Sequence, residues 1–199
     1  MKTSLPLFAS LVALLTVACA STPEGAKTAV KPQDLKGTWS SPTCEAAGGT
    51  NFIQRHFTLT ENTWTLNLDA FGDAQCQTKL FTARVQGPYT LEKDSAAVPG
   101  ATEGNFGFGE LYMTPHLPAL AEAFQNAKCG TGTWKVGEEQ RTTETGCLFF
   151  QPTSACGTDH DLVKVDGEQL FFGQRPADNN MCTPDKRPAA LTAKPVVKR

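Results

Sequence analysis

An all-β protein is the fold class that this sequence predicts: an antiparallel barrel of about nine strands with one short helix and a set of disulfides. Three observations carry that reading. Apolar and polar residues alternate with period two through most of residues 52–172, the pattern of strands buried on one face. Glycine and proline, 17 and 13 of 199 residues, supply frequent turns between short segments. Six cysteines follow an apolar leader, and an even number in an exported domain points to a disulfide framework. Closing the sheet removes exposed edges and favours a barrel, with a two-sheet sandwich as the rival architecture.

The chain opens with "MKTSLPLFASLVALLTVACA", read as a signal peptide over residues 1–20. Lys2 is a short positive region, Leu5 to Val17 is mostly apolar, and Ala18-Cys19-Ala20 supplies small residues at a cleavage point. The apolar run is too short to span a bilayer comfortably. Two processing routes fit. Ordinary cleavage would fall before Ser21; alternatively Cys19 becomes the lipidated first residue of a bacterial lipoprotein, although Thr16 stands where such signals usually place Leu. Either route exports the protein, to the outer membrane or periplasm as a lipoprotein or as a secreted protein. Small, polar, Pro-punctuated residues 21–33 read as a linker, residues 34–183 as one domain, and residues 184–199, with their prolines and basic side chains, as a flexible tail.

Within the domain, Ile53, Arg55, Phe57 and Leu59 share a face opposite Phe52, Gln54, His56 and Thr58. "TEN" turns the chain into a second strand carrying Trp64, Leu66 and Leu68 on one face. Gln77 to Val85 alternates again, with Phe81, Ala83 and Val85 apolar, and Phe106, Phe108, Glu110 and Tyr112 fall in one phase. A further run begins at Trp134 and Val136 and ends at Leu148-Phe149-Phe150. "DLVKVDGEQLFFG" reads as a hairpin, Asp166-Gly167 forming a type I′ turn. The single helix is expected after Thr114 as cap and Pro115 in the first turn, with Leu117, Leu120, Ala121 and Phe124 along one face and Gly130 beyond its end.

The formal charge of −2 gives no basic surface for nucleic acid. No Gly-x-Ser-x-Gly elbow, P-loop or His-Glu-x-x-His motif is present, so no enzyme, no catalytic residue and no cofactor is expected. Asp159 and Asp161 flank His160, too little for a calcium or acid–base site, and the lone Cys156-x3-His160 is too little for zinc. With no close cysteine pair, all six are assigned to disulfides, and the pairing we expect is Cys44–Cys76, Cys129–Cys147 and Cys156–Cys182.

Gly37-Thr38-Trp39 is similar to the Gly-x-Trp that opens the first strand of lipocalins and other calycins, where the Trp plugs the closed end of the barrel. The resemblance implies a lipocalin-like barrel and an Arg near the last strand covering that Trp, here Arg175. A longer pattern is more specific. Trp39, Cys44-Glu45, Phe52-Ile53-x-Arg55, Phe57, Trp64, Asp73-x-x-Cys76, Gly87-x-Tyr89 and Gly100-x-Thr102-Glu103 follow in order, then Cys129-Gly130, Trp134 and Gly146-Cys147. Over about residues 34–180, the chain resembles the adenomatosis polyposis coli down-regulated (APCDD) domain. That family implies an extracytoplasmic barrel with an apolar pocket; its animal members are membrane-anchored Wnt inhibitors with two such domains. One copy, no C-terminal transmembrane segment and a bacterial-looking leader make a prokaryotic single-domain member the expectation, with the lipid-accommodating barrel, rather than the Wnt role, as what carries over.

The site expectations follow. Ile53, Phe57, Leu59, Trp64, Leu66, Leu68, Phe81, Phe106, Phe108, Tyr112 and Phe171 are the candidate pocket lining, for a lipid or other apolar small molecule held by sequestration or transfer. Arg55 lies in an apolar phase and requires an acid, for which Glu45 and Glu103 are the candidates by their place in the family pattern; an anionic headgroup is the alternative partner. A filled core serving a cell-envelope interaction module is the competing function, with membrane anchoring through Cys19 in either case.

Overall fold

The computed structural model describes residues 29–199. The leader, Cys19 and the linker up to residue 28 lie outside the described residues. Eight antiparallel strands close a barrel in which each is hydrogen-bonded to two others. In order around it they are β3 (Asn51–Leu59), β1 (Gly37–Ser40), β11 (Val196–Lys198), β10 (Gln169–Phe172), β9 (Thr158–Asp166), β6 (Thr102–Gly107), β5 (Lys79–Asp94) and β4 (Thr63–Phe71), which returns to β3. The period-two pattern is the cause: in β5, Phe81, Ala83, Val85 and Tyr89 are buried while the residues between them are more exposed. Three further strands extend the sheet. β2 (Glu45–Gly48) lies end to end with β1 along one edge of β3, and β7 (Glu110–Pro115) end to end with β6 along β5, carrying β8 (Gln140–Arg141) outside it.

The end of the barrel nearest Trp39 is closed. Trp39 is 1% exposed, and its indole donates to the Leu35 carbonyl at 2.7 Å, which ties it to the short helix α1 (Pro32–Leu35). Val30 and Leu35 are buried in the same core as Leu59, Tyr89, Leu170 and Val196. Val30, near the end of the expected linker, is therefore part of the plug together with Leu35, the first apolar residue of the expected domain. At the other end, α2 (Pro118–Asn126) lays Phe124 and Ala121 over Ala70, Phe81, Ala83 and Met113, with Trp134 edge-on to Phe124 at 5.0 Å.

Several local expectations change. Thr114 and Pro115 are strand residues paired with Thr82 and Phe81, and it is Pro118 that occupies the first helical turn. Between Trp134 and Phe150 the named strand is only Gln140–Arg141: Gly137 and Gly146 take positive φ and interrupt any ladder, while Trp134 turns into the core. The β9–β10 hairpin is found, but Asp166 pairs with Gln169, so Gly167 and Glu168 form the turn. Positive φ is confined there to Gly167, at 58°, which fits a type II′ turn with glycine first rather than type I′.

The larger correction concerns residues 184–199, expected as a flexible tail. They run along the outside of the barrel and end as β11, filling the gap between β1 and β10. Arg187, with a side chain 9% exposed, staples this segment by donating to the carbonyls of Gly104 and Asp161 and pairing with Glu92 and Glu103. Three prolines and a short apolar pair hide this role in the sequence, because a three-residue strand has no period to read.

Candidate functional site

A cavity of about 860 Å³ occupies the barrel interior and reaches the end opposite Trp39. β4 contributes Trp64, Leu66, Leu68 and Ala70, four successive inward positions, and β3 contributes Ile53, Arg55 and Phe57. Ring contacts join the far walls: Phe57 stacks on Phe172 at 4.6 Å, Phe172 meets Phe106 at 5.8 Å, and Phe106 meets Trp64 edge-on at 5.4 Å. The Trp64 indole donates to the Gly107 carbonyl at 3.0 Å, leaving its apolar face for the cavity.

Eight of the eleven expected lining residues border this space: Ile53, Phe57, Trp64, Leu66, Leu68, Phe81, Phe106 and Phe108. Leu59 is instead part of the plug. Phe171 points outward opposite Lys164, since Leu170 and Phe172 take the inward phase of β10. Tyr112 also lies outside, its ring 4.0 Å from the Arg84 guanidinium, because the alternation shifts by one residue between Phe106 and Leu111. The shift occurs where β6 passes into β7 across Gly87; a Cβ there would sit 2.1 Å from the Gly107 carbonyl oxygen, so only glycine permits the crossing.

The mouth carries the turn Cys147 to Phe150, closed by two main-chain hydrogen bonds of 2.8 and 2.9 Å between those residues. At its tip Leu148, at φ 54°, and Phe149 are half exposed, and Phe149 packs against Phe150 and Phe81. The disulfide Cys129–Cys147 fastens the base of this turn to the end of α2, and Cys156–Cys182 ties the start of β9 to the 173–182 loop across the rim. Cys44–Cys76 joins the break between β1 and β2 to the β4–β5 loop, so all three expected pairings are present.

Polar groups enter the cavity at two places. Glu45 accepts from Arg55 Nε and Nη2 at 3.2 and 3.0 Å and from Ser41 Oγ, while Arg55 also donates to the Lys194 carbonyl at 2.7 Å. The buried ion pair is thus Arg55 with Glu45; Glu103 lies outside with Arg187 and Lys93. On β9, Asp159 and Asp161 take the same inward phase as Val163. Arg175, expected over Trp39, pairs with Asp159, and the cation beside Trp39 is Lys198. Burial raises the Asp159 carboxyl above its usual range even against the Arg175 guanidinium. Burial likewise pushes Asp161 up to about 6, with Arg175 opposing and Asp159 adding to the rise. The alternation Asp159, Asp161, Val163, Val165 was the sequence signal for two inward carboxylates; Phe172, Phe149 and Phe150 were misplaced only by phase or by an assumed strand. Among the described residues, no group of three His, Cys, Asp or Glu side chains could hold a metal ion.

A closed antiparallel barrel around an apolar cavity with a polar mouth defines the class of this protein. Residues 19–180 match the family described as Adenomatosis polyposis coli down-regulated 1, and the chain belongs to that family. The match stops short of β11, the strand that completes the barrel.

Proposed function

We propose that this protein holds a lipid or another apolar small molecule in its barrel and sequesters or transfers it without altering it chemically. The observation that carries this reading is the 860 Å³ cavity, of a size common to small-molecule sites and lined mainly by aliphatic and aromatic side chains. Such a surface binds through area withdrawn from water, at about 25 cal/mol per Å². The three disulfides and the family are consistent with an exported protein, and we infer export through the leader, with Cys19 as a candidate lipid anchor. Native mass spectrometry of protein purified from its own envelope, with titration of the neutral fluorophore N-phenylnaphthylamine, tests the cavity. Co-purified lipid and saturable fluorescence are expected; recovery of neither overturns the proposal and favours the interaction module. Metabolic palmitate labelling that Cys19→Ala abolishes is the expected result for anchoring.

A further inference from the structure

Asp161 is the buried charge in the cavity that no side chain neutralises directly. It is 8% exposed and borders the cavity between the apolar wall of Phe172 and the Asp159–Arg175 pair at the rim. Its Oδ1 accepts from the main-chain N–H groups of Leu162 at 2.7 Å and Gly173 at 2.9 Å, which fix the carboxylate in place. A Cβ at residue 173 would lie 2.4 Å from that oxygen, so the carboxylate occupies room that only a glycine leaves. Oδ2 has no hydrogen-bond partner among the described residues, yet it is not sealed from solvent, and the accessible space beside this residue is the cavity. Arg55 is matched by Glu45 and Arg175 by Asp159, while Lys194, exposed at the rim, donates to the Ala46 carbonyl. The lining as a whole is balanced, Lys194 being the matching cation at the exposed rim, and the carboxylate that no side chain contacts lies inside it.

We propose that Asp161 reads the headgroup of the bound molecule, and that the ligand is a single-chain amphiphile whose polar end donates a hydrogen bond, an alcohol or a primary ammonium, in preference to an anion. The proposal rests on the apolar-ligand reading above. The chain would lie along Trp64, Leu66 and Phe106, and its donor would meet Oδ2, whose lone pairs a carboxylate or phosphate cannot satisfy.

Dodecylamine, dodecanol and dodecanoate, matched in chain length, are titrated at neutral pH against protein loaded with N-phenylnaphthylamine, for the native chain and for Asp161→Asn. The native protein should bind the amine and the alcohol roughly tenfold more tightly than dodecanoate. Asparagine keeps an oxygen for the Leu162 and Gly173 N–H groups but presents an NH₂, so the variant should lose this order and gain affinity for dodecanoate. Equal or tighter binding of dodecanoate by the native protein overturns the proposal, as does an unchanged order in a variant that melts cooperatively; in both cases the apolar cavity stands. Failure of the fluorophore and all three chains to bind overturns the cavity reading itself, and this assignment with it.

Discussion

The ammonium of Lys198 lies 5.3 Å from the centre of the Trp39 ring, and the two residues are register partners across β1 and β11. The strand that holds Lys198 is three residues long, yet it separates closure from two open edges. Its energetic centre is Val196, fully buried against Leu170. Val196→Asp should cost about 3 kcal/mol or more, since it places an unpaired carboxylate in the plug. Lys198→Ala should cost only about 0.5–1 kcal/mol, the worth of an exposed cation–π contact. Urea midpoints followed by tryptophan fluorescence compare the two; equal losses would show that closure does not depend on the burial of Val196.

Glu45 and Arg55 form the second long-range tie, with side chains 7% and 13% exposed. Removing one partner strands the other charge, so Glu45→Ala should lose about 3–5 kcal/mol. Replacing both by Leu should recover most of that, because the desolvation cost disappears with the pair. A double-mutant cycle in urea measures the coupling. Additive losses would mean that Lys194 and Ser41 alone satisfy these groups.

The barrel strands were legible because each presents one phase to a common interior: Ile53 to Leu59, Trp64 to Leu68 and Phe81 to Val85 all face as their alternation requires. That the six cysteines would pair and that Arg55 would need an acid was legible for a related reason, since an even set of thiols and a charge in an apolar phase both demand partners. The choice of Glu45 over Glu103 was not, because both acids came from the family pattern. What escaped reading depended on contacts made after the sheet had formed. β11 is defined by the gap it fills, the later start of α2 at Pro118 by the pairing of Thr114 and Pro115 with β5, and Tyr112 by a change of phase at a glycine crossing. Asp159 and Asp161 were visible in the right phase, but their weight comes from burial, which a single strand does not reveal.

Leu148 holds a positive φ at the mouth, a conformation that costs a non-glycine residue roughly 1–2 kcal/mol. The disulfide Cys129–Cys147, closing a separation of 18 residues, restrains the turn that imposes it. Replacing both cysteines by serine should cost about 3 kcal/mol, chiefly through the unfolded chain. The turn should also open locally, so that chymotrypsin cuts beside Phe149 well before the barrel is degraded. Limited proteolysis with intact-mass readout checks this. First cleavage elsewhere would show that the Phe149–Phe150 and Phe149–Phe81 contacts suffice to hold the turn.

Asp161 makes stability depend on pH in a direction opposite to that of a paired carboxylate. Its folded value, about 6, lies above the 3.8 of an unperturbed aspartate, so the unfolded chain releases the proton first. The protonated group burdens the fold least; its contribution is fully present below 3.8 and is lost as pH rises through about 6. That rise corresponds to about 3 kcal/mol of stability given up at neutral pH. Asp159, raised in the same sense by burial, adds a slope of its own, while Arg175 beside both carboxylates and Arg187 on the Asp161 carbonyl stay charged throughout. Asp161→Asn, which retains the acceptor for Leu162 and Gly173, should therefore be more stable than the native protein at neutral pH and nearly equal to it at the acid end of the window. Urea unfolding free energies of the two proteins, subtracted at each pH, isolate the group. A difference that grows as pH falls would show that the carboxylate is stabilised by its surroundings, and that the negative charge at the mouth is neutralised by the fold itself.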